Sequence, residues 1–317
     1  MATTLIAAPA QPPAVDDRLA RRRAVTVLLA VAAGVVLATA WSFKLVDQKI
    51  GDNVANHLLG FDAKTTAISG SAVGVAFAFV SGMAGTFTAC NVAAFGALAP
   101  LVSGNGSRRS RIVEALKPMG WLLAGMCAVS ATYGVIAVLA GPGIPQLSTK
   151  TLGAHHFPVR LLQSSVVFGV VGLAMVYLGL TTLGVLPNPL AKLYERHPRA
   201  QFVVMGALIG MFLIGRPFAL FHKMLQDAVD RHNVLYGALT FVLQSIGNVV
   251  LLVVLFLLLS LGTGGRLQRW LEAKPGRAAR VTAVSLILFG VFFVTYWDVR
   301  LPAMFHYGWW PTMPWNA

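Results

Sequence analysis

The chain has 317 residues, 56% of them hydrophobic and only 11% charged, and its mean hydropathy of +0.71 leaves too little polar surface to coat a water-soluble fold. Its formal charge of +14 lies in short strips between apolar runs, which excludes a nucleic-acid-binding face and reads as membrane topology. Two cysteines, Cys90 and Cys127, both sit inside apolar runs, which excludes a secreted disulfide scaffold.

In chain order, residues 1–17 carry Pro9, Pro12 and Pro13 and predict a disordered tail that reaches to residue 23. Seven apolar runs follow, at about 24–44, 67–101, 119–140, 161–186, 202–224, 235–261 and 281–299, each long enough to cross the hydrocarbon core as a helix. The first is too long, and too poorly followed by a small-residue cleavage site, to read as a signal peptide, and is expected to span. The expected fold is therefore all-α, a polytopic membrane bundle of about seven helices. It divides into a cytoplasmic tail (1–23), a first helix with its external loop (24–66), a six-helix membrane domain (67–299) and an external aromatic segment (300–317).

Orientation follows from the basic residues. Sixteen of the 25 Lys and Arg fall in the tail and in the loops 102–118, 187–201 and 262–280, against eight in the alternate segments. The basic strips belong in the cytoplasm, so the N-terminus is inside and the C-terminus outside. Trp309, Trp310 and Trp315 in the closing segment then read as an interfacial belt.

The second run is too long for one crossing, and Gly82, Gly85, Gly96 and Pro100 flank Cys90-Asn91 at its centre. The fifth has a comparable interruption, with Gly206, Gly210, Gly215 and Pro217 around Arg216. Aligning Cys90-Asn91 with Arg216-Pro217 also sets Ala93 on Ala219 and Phe95 on Phe221. The two segments cross in opposite directions and each is followed by two further helices, as in an inverted three-plus-three repeat with helix 1 added. Irregular backbone at membrane depth must be buried in protein or line a wet cavity.

Those two interruptions, with VVFGVVGLAMVYLGLTTLGVLP at 166–187 and YGALTFVLQSIGNVVLLVV at 236–254, resemble the membrane domain of the DsbD/CcdA family over about residues 67–299. The resemblance implies that the membrane is the bacterial inner membrane, and it implies transfer of reducing equivalents across it for extracytoplasmic thiol reduction or cytochrome c maturation. In that family each broken helix carries a cysteine near proline, and the pair cycles between dithiol and disulfide. Here Cys90 keeps the first position but is followed by Asn91, and Arg216 occupies the second, so the family dithiol is absent. A partner, thioredoxin-like or belonging to cytochrome c maturation, would then supply the missing thiol.

Arg216 is the most informative residue. A guanidinium inside an apolar helix costs at least about 2.5–3.5 kcal/mol, so it must face the interior with a partner. No Asp or Glu lies in the interior of an apolar run; Asp62, Asp227, Asp230 and Asp298, the last of these within the final turn of the seventh run, lie at the outer ends. The partner is a helix-end carbonyl, a bound anion or the Cys90 thiolate. Cys90 is either a reactive thiol activated by that charge or a buried one, and Cys127 reads as a packing residue. Gln244 and Asn248, one turn apart, either bond between helices or line a cavity beside Arg216. His57, His155, His156, His222, His232 and His306 gather at the outer face with Met224, Met304 and Met313, but without ligand spacing, and no metal is expected. No Walker loop, dinucleotide fingerprint, HExxH, CxxC or CxxCH motif occurs, and no cofactor is expected.

Three functions remain open: a DsbD/CcdA-like thiol-redox protein, a transporter of a small anion or metal with a midplane site, and a non-catalytic subunit of a respiratory or maturation complex. The topology has a direct check. A reporter fused after Lys274 should be cytoplasmic and one fused after Ala317 external; both on one side would refute seven crossings.

Overall fold

The computed structural model describes residues 17–85, 108–197, 199–262, 270, 273–274 and 276–316. The chain is mostly helical. Helices α1 (Asp17–Ala40), α2 (Asp52–Leu59), α3 (Ser71–Ala84), α4 (Arg108–Ala140), α5 (Val159–Thr182) and α6 (Ala191–Arg196) are followed by α7 (Ala200–Met211), α8 (Ala219–Asp230), α9 (Val234–Gly262), α10 (Arg277–Phe293) and α11 (Leu301–Met304). Wide π-helical turns at Lys44–Gly51 lead into α2, and others at Val294–Arg300 join α10 to α11. The only sheet among the described residues is a two-stranded hairpin of β1 (Thr151–Leu152) and β2 (Phe157–Pro158), with Thr151 opposite Pro158.

Among the described residues four helical stretches are long and apolar enough to cross a membrane: Ala20–Ala40, Met119–Gly143, Val159–Thr182 and Arg277–Met304. This makes the chain a membrane protein. Three shorter apolar helices, Ser71–Ala84, Ala200–Met211 and Val234–Val250, fall within the second, fifth and sixth runs. Two expectations need adjusting. Helix formation begins at Asp17, inside the stretch read as a tail, because DRLARRR contains no helix breaker. The stretch read as an external loop is largely helical from Lys44 to Leu59, where an amphipathic pattern of low mean hydropathy hides it from a search for apolar runs.

Lipid offers helices no hydrophobic reason to associate, so close packing must do it. Reciprocal glycines provide the close packing. A Cβ on Gly82 of α3 would lie 2.1 Å from Gln244 O of α9, and one on Gly247 would lie 2.1 Å from Phe79 O. The same exchange joins α4 to α7, where Gly206 would meet Leu122 O at 1.9 Å and Gly125 would meet Val203 O at 2.1 Å. It joins α5 to α10 through Gly172 and Gly290, each against the other's carbonyl at 2.7 and 2.5 Å. Gly134 of α4 and Gly237 of α9 form a fourth pair. On α1, Ala30, Gly34 and Ala38 repeat every four residues and turn to α10, Gly34 lying against Leu288 O.

Among the described residues two large apolar cores result, with a smaller cluster of Ala30, Leu183, Ala283 and Ile287 between α1, α5 and α10. In one, Phe168 stacks on Trp297 and Phe293, with ring centroids 4.5 and 5.5 Å apart, and Phe212 closes the cluster. In the other, Phe77, Phe221, Phe241 and Tyr133 pack between α3, α8, α9 and α4, together with Leu213 and Phe218. Phe212 and Leu213 are adjacent in sequence, so the chain passes from one core to the other at the end of α7.

Gly206→Ala should destabilise the protein by about 1–3 kcal/mol, because its Cβ meets backbone that cannot rotate away. Gly120→Ala on α4, with nothing within 4 Å, should be neutral or slightly stabilising. Thermal unfolding in detergent compares them, and equal midpoints would show that the contact is loose.

Candidate functional site

The site is built around an interrupted helix. α7 stops at Met211, and the next residues turn tightly, with Phe212 N–H donating to Ile209 O, Leu213 to Gly210 O, Ile214 to Met211 O and Arg216 to Leu213 O. Pro217 has no N–H to continue any helix, and Phe218 is extended at φ −64° and ψ 132° before α8 begins at Ala219. Gly215 fits here because a Cβ would press on the Phe168 ring at 3.0 Å.

Unwinding frees carbonyls, and in a membrane water cannot satisfy them. Two glutamines do so. Gln146 Nε2 donates to Leu213 O and Arg216 O, both at 3.2 Å, and Gln163 Nε2 donates to Ile214 O at 2.6 Å. Tyr133 ties the two amides together, its hydroxyl donating to Gln146 Oε1 at 2.5 Å and accepting from Gln163 Nε2 at 3.2 Å. These three residues were not singled out in the sequence. A glutamine in an otherwise apolar α5 was the available signal, whereas Gln146 reads as part of a loop.

Arg216 is 6% exposed and turns to the opposite side of the break. Its Nη2 donates to Gly85 O at 2.9 Å and its Nη1 to Asn248 Oδ1 at 3.2 Å, with the guanidinium 5.8 Å from the Phe218 ring centre. Gly85 directly follows α3, so the cation sits at the negative end of that helix dipole. A side chain on Gly85 would occupy the guanidinium's place, since its Cβ would lie 2.1 Å from Nη2. A helix-end carbonyl, one of the three expected partners, is therefore in contact with Arg216. Two of the aspartates serve elsewhere: Asp227 binds Arg231 at 3.0 Å and accepts the Tyr236 hydroxyl at 2.6 Å, and Asp62 accepts the N–H groups of Lys64 and Thr65.

The structure thus brings together Gly82, Gly85, Arg216, Gly215, Pro217, Gln244 and Asn248, while Cys90 and Asn91 lie outside the described residues. Gln244 is fully buried, and among the described residues neither end of its amide has a hydrogen-bond partner. Beyond Pro217 a cavity of about 340 Å³ opens between Phe43, Phe218, Tyr296, Trp297 and Phe305, with the Asp52–Lys64 ion pair at its edge. Cys127 is a half-buried free thiol on α4. Among the described residues no group of three or more His, Cys, Asp or Glu side chains gathers; His155 comes nearest to His306, with ring centres 6.1 Å apart.

A second buried arginine escaped the sequence reading. Arg300, 3% exposed, donates from Nη1 to Ala38 O at 2.6 Å and to Trp41 O at 2.9 Å, and lies 5.1 Å from the Tyr296 ring centre. Trp315 adds a bond from Nε1 to Ala40 O at 2.8 Å. Together they cap the end of α1.

Gln146→Leu and Gln163→Leu each leave a buried carbonyl unsatisfied and should cost about 1–3 kcal/mol. Because both amides serve one break through Tyr133, the double variant should cost less than the sum of the two, as measured by a double-mutant cycle of thermal stability. Strict additivity would mean that the glutamines act independently. No family model matches this chain, and no curated protein or solved structure matches it.

Proposed function

We propose that this is a DsbD/CcdA-like membrane protein of extracytoplasmic thiol redox or cytochrome c maturation, acting through the single thiol of Cys90. The observation that carries the proposal is the bond from Arg216 to Gly85. It draws the break of the fifth run against the end of α3, five residues before Cys90 in the chain. These are the two places where the family resemblance sets a cysteine pair.

The chemistry is thiol–disulfide exchange. The Cys90 thiolate attacks a disulfide of an extracytoplasmic thioredoxin-like or maturation partner, forms a mixed disulfide and releases one partner thiolate. A second thiolate from that partner or another protein attacks the mixed disulfide, which returns Cys90 reduced. No net electron is gained or lost by the chain. The proposal gives the positive charge of Arg216 the role of stabilising the Cys90 thiolate.

The proposal includes seven crossings and an inverted repeat of helices 2–4 and 5–7, numbered by the apolar runs. The glycine contacts support it. Exchanging helix 2 with 5, 3 with 6 and 4 with 7 turns the 2–6 contact (Gly82, Gly247) into the 5–3 contact (Gly206, Gly125). The same exchange returns the 3–6 contact (Gly134, Gly237) and the 4–7 contact (Gly172, Gly290) to themselves. A twofold axis in the membrane plane would produce this pattern.

A second reading, transport of a small anion or metal through a midplane site, is favoured by the fully buried Gln244 amide, since a polar group at that depth normally has a partner. The rate of Cys90 alkylation by a small permeant maleimide at one fixed pH, in a Cys127→Ser background, separates the two. Arg216→Gln should slow it about tenfold and Arg216→Lys much less, since a tenfold change corresponds to about 1.4 kcal/mol of lost thiolate stabilisation. Thiol trapping in native membranes should capture a mixed disulfide that Cys90→Ser abolishes. A Cys90 that forms none, and reacts equally fast with and without Arg216, would remove the redox reading.

A further inference from the structure

A second cavity, of about 260 Å³, lies far along the bundle from the helix break, where α1, the end of α5 and the start of α10 converge. Arg22 and Arg23 approach it from α1 and Arg280 from α10, with Thr26, Thr182 and Gly276 completing its wall and no carboxylate among the described residues that line it. Three guanidinium groups from helices more than 250 residues apart in sequence thus share one pocket. A bias of basic residues toward one face of the membrane places arginines on that side, but it does not gather three of them round a common cavity.

The electrostatics favour an anion. α10 begins beside Gly276, its N-cap at φ 74°, so the positive end of this 17-residue helix opens on the cavity. The opposing negative end of α5 is already neutralised, because Arg23 Nη1 donates to Gly184 O at 3.2 Å. The two threonine hydroxyls donate into their own helices, Thr26 to Arg22 O and Thr182 to Leu178 O, and so turn oxygen lone pairs, not protons, toward a ligand. The donors that remain are guanidinium N–H groups, whose planar fork matches phosphate oxygens. The cavity is flanked by the outward apolar face of α1, where Val25, Leu28 and Leu29 are exposed.

We propose that this cavity binds a phosphate group, that of an anionic phospholipid headgroup in the leaflet on the side of the basic loops, with acyl chains along the exposed face of α1. Basic pockets between transmembrane helices are suited to such headgroups, and the same donors would accept free phosphate. The headgroup would bridge α1 to α5 and α10 and lock the added first helix onto the bundle.

The test is thermal unfolding of the full chain in lipid nanodiscs. Discs of phosphatidylcholine containing phosphatidylglycerol should raise Tm by about 5 °C over pure phosphatidylcholine, as expected of a ligand that binds only the folded state. The triple variant R22Q/R23Q/R280Q should lose that rise, measured against its own Tm in pure phosphatidylcholine, which the lost bond from Arg23 to Gly184 O lowers slightly. Removing equal charge elsewhere, in K192Q/R196Q/K274Q, should leave it. Should the triple variant fail to fold, the single exposed change R280Q must still lose part of the rise. A comparable rise from inorganic phosphate added to phosphatidylcholine discs, lost in the same variants, would keep the site and make free phosphate its source. No rise with either probe in the wild type, or a rise lost equally in both triple variants, would overturn the proposal.

Discussion

Everything at the centre of this protein depends on how an unwound stretch of backbone is kept satisfied away from water. Between Met211 and Ala219 the fifth run abandons the helical ladder, and an unmet carbonyl in lipid costs several kcal/mol. The two sides of the break are served differently. Gln146 and Gln163 reach its carbonyls from one side through neutral amides, and Arg216 reaches away from it on the other to Gly85 and Asn248. The break is thus a joint, held to α5 and the loop after α4 by glutamines and to α3 and α9 by a guanidinium.

That joint lies where the two apolar cores meet. Phe212 belongs to one and Leu213 to the other, so a movement of the break would change both at once. The helices around it have little freedom to absorb such a movement, because the glycine pairs bring backbone onto backbone with no side chain between. Packed interfaces of this kind shift between discrete arrangements and do not deform smoothly. Any conformational change tied to chemistry at Arg216 must therefore move whole helices together.

The sequence was legible where a residue violates the rule of its surroundings. Arg216 declares itself because a guanidinium in an apolar run needs a reason, and Gly82, Gly85, Gly215 and Pro217 because helices avoid them without one. It was illegible where the meaning of a residue depends on a distant partner. Gln146 follows Gly-Pro-Gly-Ile-Pro and looks like solvated loop until the fold lays it over the break. Arg300 follows the last apolar run and looks like an external cation, but the π-helical turns carry it inward to the end of α1. The glycines mark close approach in the sequence, but not which helix approaches. Only the fold shows that Gly82 receives α9 and Gly210 receives α4.

The cap on α1 has a consequence for how the protein is made. Arg300 and Trp315 reach carbonyls 259 to 275 residues earlier in the chain. During synthesis α1 leaves the ribosome before the groups that cap it, and its last carbonyls must wait in the interfacial region, where water can serve them, until Arg300 and Trp315 arrive. α1 is thus made long before it is locked in place, and loss of Arg300 and Trp315 would loosen a helix that lies 259 to 275 residues before them.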